Sequence, residues 1–293
     1  MQHLIAGKKK DLGGFSVQRI LPHEKIPMVG PFIFFDHMGP ANFEIGDGID
    51  VRPHPHIGLA TLTYLFSGEI MHRDTLGYTQ AITPGAVNWM IAGRGIAHSE
   101  RTGLDERAHQ HQLHGLQSWI ALPKEFEECE PEFFHYPLEA LPGIHQSGVE
   151  LCVIAGEAYG KKAPVKTLSP LFYVEAHMEV DAFLDVPDQY SERAIYVVSG
   201  NIEINGKPIQ ASHFAVIEPG KTTITATHES HIMLLGGEPL AEPRHIFWNF
   251  VSSSPERIEQ AKRDWVEGKF GKIPGDANEF IPLPEQPKPA PIL

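Results

Sequence analysis

The sequence predicts an all-β fold with two small antiparallel barrels or jelly rolls in tandem, followed by one short C-terminal helix. Its 25 prolines and 27 glycines are spread along 293 residues and divide the chain into short segments. These segments are rich in Val, Ile, Thr, Phe and Tyr, the residue types that favour strands. Many short strands separated by turn signals are typical of a barrel or jelly roll.

Two halves of the chain repeat one pattern, which is the evidence for two barrels. "YLFSGEI" at residues 64–70 and "YVVSGNI" at residues 196–202 both place an aromatic and apolar segment before a Ser-Gly turn. "GAVNWMIAG" and "FAVIEPG" then follow in the same order at nearly the same offset. Two ordered matches favour a duplicated β unit. We predict a boundary near residues 137–148, with domains at 1–140 and 141–293.

The one strong helix pattern follows the second β unit. "SSSPERIEQAKRDWVEG" offers capping serines, a proline near the first turn, and Ile258, Ala261 and Trp265 at helical spacing. The tail "IPLPEQPKPAPIL", residues 281–293, is too rich in proline for a helix or a strand. We expect it to run extended over the surface or to be mobile.

Composition limits the classes of partner. A formal net charge of −13 argues against direct nucleic-acid binding, which needs a clustered positive surface. Cys129 and Cys152 are too few for a disulfide framework and are expected to be small buried hydrophobes. The N-terminus lacks the apolar core of a signal peptide, and no apolar run is long enough to span a bilayer. We therefore expect a cytoplasmic protein without a membrane partner.

Two segments each place two metal-capable side chains two residues apart. "RPHPHIG" carries His54 and His56, and "GIAHSE" carries His98 and Glu100. Side chains two apart in a strand project from the same face. If both strands face one lumen, three imidazoles and one carboxylate converge, and a divalent metal would satisfy all four buried groups. A single H-x-H pair is more often chance or a hydrogen-bonded core pair, but the second pair at the same spacing favours a metal site.

The same alternation, extended through residue 66, predicts which side chains line the lumen beside His54 and His56. Thr61 and Thr63 would face away from it. The predicted lumen residues after the histidines are Gly58, Ala60, Leu62, Tyr64 and Phe66.

The second half of the repeat lacks the corresponding histidines. Val186 and Asp188 occupy the positions that correspond to His54 and His56 when the two repeats are aligned on their Ser-Gly turns. His228 and His231 are not preceded by an H-x-H pair with which they could form a metal site. We therefore expect the C-terminal barrel to lack metal ligands.

At this point the motifs identify a resemblance. "HPHIGLATLTYLFSGEIMHRDTLG" and "GAVNWMIAGRGIAHSE" closely resemble the pirin family, cupin-superfamily proteins with two β-barrels, and so do "PFIFFDHMGP" and "HGLQSWIALP". The resemblance is dense over residues 13–123. It implies an N-terminal barrel that holds one transition metal, most often iron, through His54, His56, His98 and Glu100. Many pirins have glutamate where this chain has Ala60, and the metal should survive this change because the carboxylate ligand comes from "HSE".

Three imidazoles and one carboxylate on a six-coordinate ion leave up to two positions open, which suits Fe(II) and dioxygen. Mn, Co, Ni, Cu and Zn are alternatives, although four ligands would close the tetrahedral shell of zinc.

The resemblance implies cleavage of a flavonol such as quercetin by dioxygen with release of carbon monoxide, and Glu100 or a group near it as general base. It also implies a rival function, an iron-dependent redox regulator that binds a partner protein. A storage or structural protein with an adventitious metal is a third option.

Other histidines are expected to play lesser roles. We interpret His72 as structural or as support for a ligand. His109, His111 and His114 are interpreted as surface or inter-barrel residues, with a metal role as the less favoured alternative. The remaining expectations place Asp36 and His37 beside the pocket, and Trp89 and Met90 in the core.

Overall fold

The computed structural model describes residues 1–11 and 15–285, so the part of the predicted tail from residue 286 onward lies outside the described residues. The strands of the first part of the chain are β1 (His3–Ala6), β2 (Lys8–Asp11), β3 (Ser16–Leu21), β4 (Phe32–Phe43), β5 (Asp50–His56), β6 (Leu59–Ser67), β7 (Ile70–Asp74), β8 (Thr79–Ile82), β9 (Val87–Ile91), β10 (Ile96–Arg101), β11 (His111–Ala121) and β12 (Glu132–Tyr136). Between β10 and β11 lies the one-turn helix α1 (Leu104–Arg107).

The later strands are β13 (Gly143–Gln146), β14 (Val149–Ala158), β15 (Lys161–Lys162), β16 (Leu171–Met178), β17 (Phe183–Asp185), β18 (Glu192–Ser199), β19 (Asn201–Ile204), β20 (Lys207–Gln210), β21 (His213–Ile217), β22 (Thr223–Ala226), β23 (Ser230–Gly237), β24 (His245–Phe247) and β25 (Phe250–Ser252). Helix α2 (Pro255–Val266) comes last, and short 3-10 turns cover Lys124–Phe126 and Leu138–Ala140. The predicted all-β class with one short C-terminal helix is confirmed. Within the described residues, no helix is both long and apolar enough to cross a bilayer.

The chain forms two units, each assembled from three stretches. The first unit contains Lys10–Val17, Phe34–His135 and Ala241–Leu293, and the second contains Met1–Lys9, Gln18–Ile33 and Tyr136–Leu240. The domain ranges 1–140 and 141–293 stay a prediction.

Two sheets build the first unit. One has the strand order β5-β10-β7-β8, and the other contains the path β12-β9-β6-β11-β4. In the first of these sheets β10 lies between β5 and β7, with His98 opposite His54 on one side and Asp74 on the other. The second unit likewise has one large sheet, β1-β21-β18-β23-β16-β14-β13, and a smaller one, β17-β22-β19-β20.

The repeated Ser-Gly turns have a common physical cause. Gly68 follows β6 with a φ of +84°, and Gly200 follows β18 with a φ of +81°, both in the left-handed region that favours glycine. A Cβ at Gly68 would lie 2.3 Å from the Gln112 carbonyl oxygen, and one at Gly200 would lie 2.2 Å from that of Glu229. Each turn therefore needs glycine twice, for its φ and for the close approach of a neighbouring backbone.

Gly58 separates β5 from β6 and overturns one prediction. Its φ is +67°, and a Cβ there would lie 2.0 Å from the carbonyl oxygen of Val251. The alternation of side chains does not continue through this left-handed residue. In β6 it is Thr63 that approaches Glu100, so Ala60 lies on the opposite face. The expectation that Ala60 lines the lumen, with Thr61 and Thr63 turned away, is wrong.

Helix α2 supports the strands that carry the histidines. Ser254 caps it by accepting a hydrogen bond from the Arg257 backbone N–H, and Pro255 occupies the first turn. Its buried residues pack against neighbours of the predicted metal ligands. The cluster consists of Ile57, Ala97, Phe250, Ile258, Ala261 and Trp265.

The helix predicted from the spacing of its apolar residues is confirmed, and so is burial of Trp89 and Met90. Cys129 and Cys152 are only partly buried, which differs from expectation.

A buried ion pair anchors the segment that leads into this helix. Arg244 Nε lies 3.0 Å from Glu127 Oε1, and the side chains are 0% and 6% exposed. The Glu127 carboxylate also accepts hydrogen bonds from the Ser252 hydroxyl and the Ser253 backbone N–H. Removing one partner would leave a buried charge without compensation.

We expect Arg244→Met to lower the free energy of unfolding by about 3–5 kcal/mol, because Glu127 loses its buried countercharge. Arg94→Met is the matched control, since Arg94 pairs with Glu130 where the side chains are 59% and 73% exposed. It should cost less than about 1 kcal/mol. Urea unfolding monitored by tryptophan fluorescence measures both, and equal losses would contradict the anchoring role.

Candidate metal centre

Three histidines converge in the first unit. The ring nitrogens that His54, His56 and His98 offer lie within 4.8 Å of one another. All three side chains are buried, and Nε2 of His56 lies 3.1 Å from Nε2 of His98. The antiparallel pairing of β5 with β10 creates this proximity, since it sets His98 opposite His54 and Ile96 opposite His56.

A backbone hydrogen bond sets the tautomer of His54. Its Nδ1 lies 2.9 Å from the carbonyl oxygen of Arg52. A carbonyl can only accept, so Nδ1 carries the proton and donates it. Nε2 of a neutral His54 therefore carries the free lone pair, which is the form that binds a metal.

A chain of hydrogen bonds does the same for His98. His72 Nε2 lies 2.9 Å from the Asp74 carboxylate, and the other oxygen of that carboxylate accepts from the backbone N–H groups of Leu76 and Tyr78. The Asp74 carboxylate accepts from His72 Nε2–H, so Nδ1 of a neutral His72 is an acceptor. His98 Nδ1, at 3.3 Å, donates to it and keeps its Nε2 lone pair. His72 thus orients a histidine of the cluster, a role that metal-binding imidazoles generally require.

Burial keeps the three imidazoles neutral. Desolvation lowers the pKa of His54 to about 4. Desolvation, strengthened by the neighbouring imidazoles, places the pKa values of His56 and His98 well below their ordinary value. Neutral imidazoles whose Nε2 atoms face one another at 3.1 Å need a cation or a shared proton between them. The donor set fits a divalent transition metal.

Glu100 is near these histidines but outside their group. Within the described part of the chain, the group with mutual distances under 4.8 Å contains the three imidazoles and not this carboxylate. A shift of register in the β10–β5 pairing falls between His98 and Glu100, and Glu100 lies opposite His72 on β7. Burial raises the pKa of Glu100. Its assignment as fourth ligand stays a prediction.

An aromatic and polar wall adjoins the cluster. The ring of Trp119 lies 5.0 Å from that of His56 in an edge-on arrangement, and Phe34 stacks on Trp119 at 4.0 Å. The Thr63 hydroxyl donates to Gln117 Oε1 at 2.7 Å and lies 3.2 Å from Glu100 Oε1. The buried stack of Phe34 on Trp119 therefore lies beside the cluster, and so does the hydrogen-bonded pair of Thr63 and Gln117.

The other histidines lie outside this cluster. His37 and His114 face each other with their Nε2 atoms 2.7 Å apart. His109 is exposed, and its Nδ1 donates to the Asp105 carbonyl, whereas His111 donates to the His109 carbonyl.

One further group was missed by the sequence argument. Glu175, His177 and His231 also bring their ligand atoms within 4.8 Å of one another. The signal in the sequence is "EAH" at residues 175–177, an E-x-H pair with the same spacing as the H-x-H motif at residues 54–56.

Comparison with known proteins identifies the family. The Pirin family model matches residues 14–120, and the model of the pirin C-terminal cupin domain matches residues 173–271. The chain belongs to the pirin family. The resemblance and the two cupin domains expected from it are thereby confirmed.

Its pirin relatives match along most of the chain. A pirin-like protein of Caulobacter vibrioides is 52% identical over 95% of this chain and 97% of its own length. Human pirin is 33% identical, over 88% of this chain and 89% of its own. Among solved structures, a quercetin 2,3-dioxygenase from Acinetobacter baumannii has a TM-score of 0.91 at 33% identity, covering 99% of this chain and 97% of that one.

The lowered histidine pKa values make the metal-free protein sensitive to acid. Folding lowers the pKa of His54 from 6.5 to about 4, so the unfolded chain takes up the proton first as pH falls. We expect the free energy of unfolding to drop between pH 6.5 and pH 4, by on the order of 3 kcal/mol from His54 alone. Urea titrations at stepped pH measure this slope.

The raised pKa of Glu100 acts in the opposite sense, because the folded state then holds a proton more readily than the unfolded chain. Glu100→Gln should therefore steepen the loss of stability on acidification, and His54→Gln should flatten it. A pH profile unchanged in both variants would contradict the assignment of the two shifts.

Proposed function

We propose that this pirin is a metal-dependent dioxygenase that cleaves a flavonol such as quercetin with dioxygen and releases carbon monoxide. The observation that carries the proposal is the buried cluster of three neutral imidazoles beside an aromatic wall. The match along nearly the whole chain to the Acinetobacter baumannii quercetin 2,3-dioxygenase supports it.

His54, His56 and His98 would hold the ion, with Glu100 as the fourth ligand. Fe(II) is the ion we propose, because imidazole and carboxylate ligands with open positions suit iron and dioxygen, and Mn, Co, Ni, Cu or Zn would also fit these donors. When bound, the metal supplies the charge that acidifies a substrate hydroxyl and the electronic path to dioxygen.

Glu100 is the residue that we propose to move the proton. Burial raises the pKa of its carboxylate above the ordinary value, which makes it a better proton acceptor than an exposed glutamate. The proton of the flavonol 3-hydroxyl would pass to Glu100. The Thr63 hydroxyl, 3.2 Å from Oε1, would help to keep this carboxylate in place.

Trp119 and Phe34 would position the substrate. Their stacked rings lie next to the proposed metal site, with Trp119 edge-on to His56, and a planar aromatic compound bound there would pack against Trp119. Gln117 lies across from Thr63 on the neighbouring strand and would contribute polar contacts.

The rival proposal is an iron-dependent redox regulator that binds a partner protein. Burial of the three histidines, none more than 6% exposed, favours it in one respect. An ion shielded from solvent can change oxidation state while remaining bound. Turnover of a flavonol is the observation that separates the two proposals.

His56→Ala should abolish both metal retention and quercetin turnover, since the variant loses one of three converging ligands. The assay follows loss of flavonol absorbance in air together with evolution of carbon monoxide, after elemental analysis of protein purified without added metal. The control, His109→Ala, removes an exposed histidine outside the cluster and should behave as the parent protein. Absence of turnover with Fe, Mn, Co, Ni and Cu alike would favour the regulator.

Glu100→Gln separates the proposed base from the metal ligands. The amide cannot take up the proton, so we expect kcat to fall by about 10²–10⁴-fold. Three histidines should still retain the ion, and metal content is measured alongside kcat. Loss of the metal in this variant would make Glu100 essential as a ligand, and unchanged kcat would exclude it as the base.

A further inference from the structure

We propose that the second unit carries its own metal site, formed by Glu175, His177 and His231, for a divalent transition-metal ion such as Zn²⁺, Ni²⁺ or Cu²⁺. Their ligand atoms lie within 4.8 Å of one another. Two imidazoles and a carboxylate are donors that these ions prefer. The site shares no residue with the cluster of the first unit.

Backbone register sets the three side chains in place. β16 and β23 are antiparallel, and His177 lies directly opposite His231. Glu175 precedes His177 by two residues in the same strand, so its side chain projects from the same face. Directly opposed residues bring their Cβ atoms to within about 5 Å of each other. No loop has to move to assemble this donor set, because all three residues lie in the central strands of the large sheet.

The donor atoms already lie close to one another. Glu175 Oε1 lies 2.8 Å from His231 Nε2 and 3.4 Å from His177 Nε2. The two imidazoles stack with their centroids 4.2 Å apart. Bond lengths near 2.1 Å around a tetrahedral ion put neighbouring ligand atoms about 3.4 Å apart. The Glu175–His177 distance of 3.4 Å matches that value, whereas the 2.8 Å contact between Glu175 and His231 is a hydrogen bond that would lengthen by about 0.6 Å to admit an ion.

The site is open on one side. The side chains of Glu175 and His231 are 13% and 12% exposed, whereas that of His177 is 56% exposed. The two histidines line a surface cavity of about 550 Å³ together with Glu150, Ser199 and Glu229. Three protein ligands leave a coordination position facing this cavity, where water or a small anionic ligand could bind the ion.

The surrounding charges favour a cation. Glu150 lies directly opposite His177 on the neighbouring strand β14, and Glu229 lines the same cavity. His145 Nδ1 lies 3.6 Å from Glu150 Oε1 at the edge of the sheet. The Glu175 carboxylate accepts a hydrogen bond from His177, and this contact raises the pKa of His177.

This proposal contradicts the expectation from the repeat, which compared positions 186 and 188 with the histidines of the first motif and predicted a C-terminal barrel without ligands. The simpler assignment is a carboxylate that merely accepts hydrogen bonds from two histidines. That assignment predicts no metal binding, so the two can be separated by stoichiometry.

The test compares metal-stripped protein with His177→Ala in equilibrium dialysis against Zn²⁺ at neutral pH, followed by elemental analysis. We expect the parent protein to bind one more equivalent per chain than His177→Ala, whatever the first cluster contributes. His177 is exposed, so this variant should fold, and circular dichroism checks it. Glu175→Gln, which preserves shape, should weaken the same equivalent by at least tenfold.

His228→Ala is the matched control, since His228 lies three residues from His231 and outside the proposed donor set. It should keep the full stoichiometry. Equal zinc content in the parent protein and His177→Ala would overturn the proposal, as would an extra equivalent that survives in Glu175→Gln with unchanged affinity. Because the readout is a difference between variants of the second unit, failure of the dioxygenase proposal would leave it intact.

Discussion

The pairing of β5 with β10 is the constraint on which the proposed chemistry depends. It brings His54, His56 and His98 from two distant parts of the chain into one volume from which water is excluded. Burial then determines protonation, since the desolvated imidazoles stay neutral where exposed histidines would begin to take up protons. A donor set of this kind is costly without a cation, and the hydrogen bonds that His54 donates to the Arg52 carbonyl and His98 donates to His72 direct its lone pairs inward.

Residues outside the three-histidine group keep its side chains in position. Asp74 accepts a hydrogen bond from His72, and His72 accepts one from His98, so a carboxylate outside the three-histidine group orients one of its rings through His72. On the outer side, Trp265 and Ile258 of α2 pack in one cluster with Ile57 and Ala97, the immediate neighbours of His56 and His98.

Local patterns predicted what local geometry controls. The i, i+2 spacing within β5 placed His54 and His56 correctly because alternation in a strand depends on neighbouring residues only. The capping serine and apolar spacing of α2 were sufficient for the same reason. Alternation failed beyond Gly58 because that residue is left-handed, and its conformation is tied to the carbonyl of Val251, which lies far along the chain. The group at Glu175 escaped notice because it depends on the register of β16 with β23, which no single segment displays.

The packing of α2 behind the histidine strands has a practical consequence for dissection of the molecule. Residues 241–293 belong to the same unit as residues 34–135. A recombinant fragment that stops after the first β repeat would lack α2, and Ile57 and Ala97 would lose the apolar residues that pack against them. Such a fragment would expose an apolar surface to solvent, and its three histidine side chains would be less well ordered. Poor yield or weak metal retention in isolated halves would therefore reflect the loss of packing between α2 and the histidine-bearing strands. It would say little about the chemistry of the intact chain.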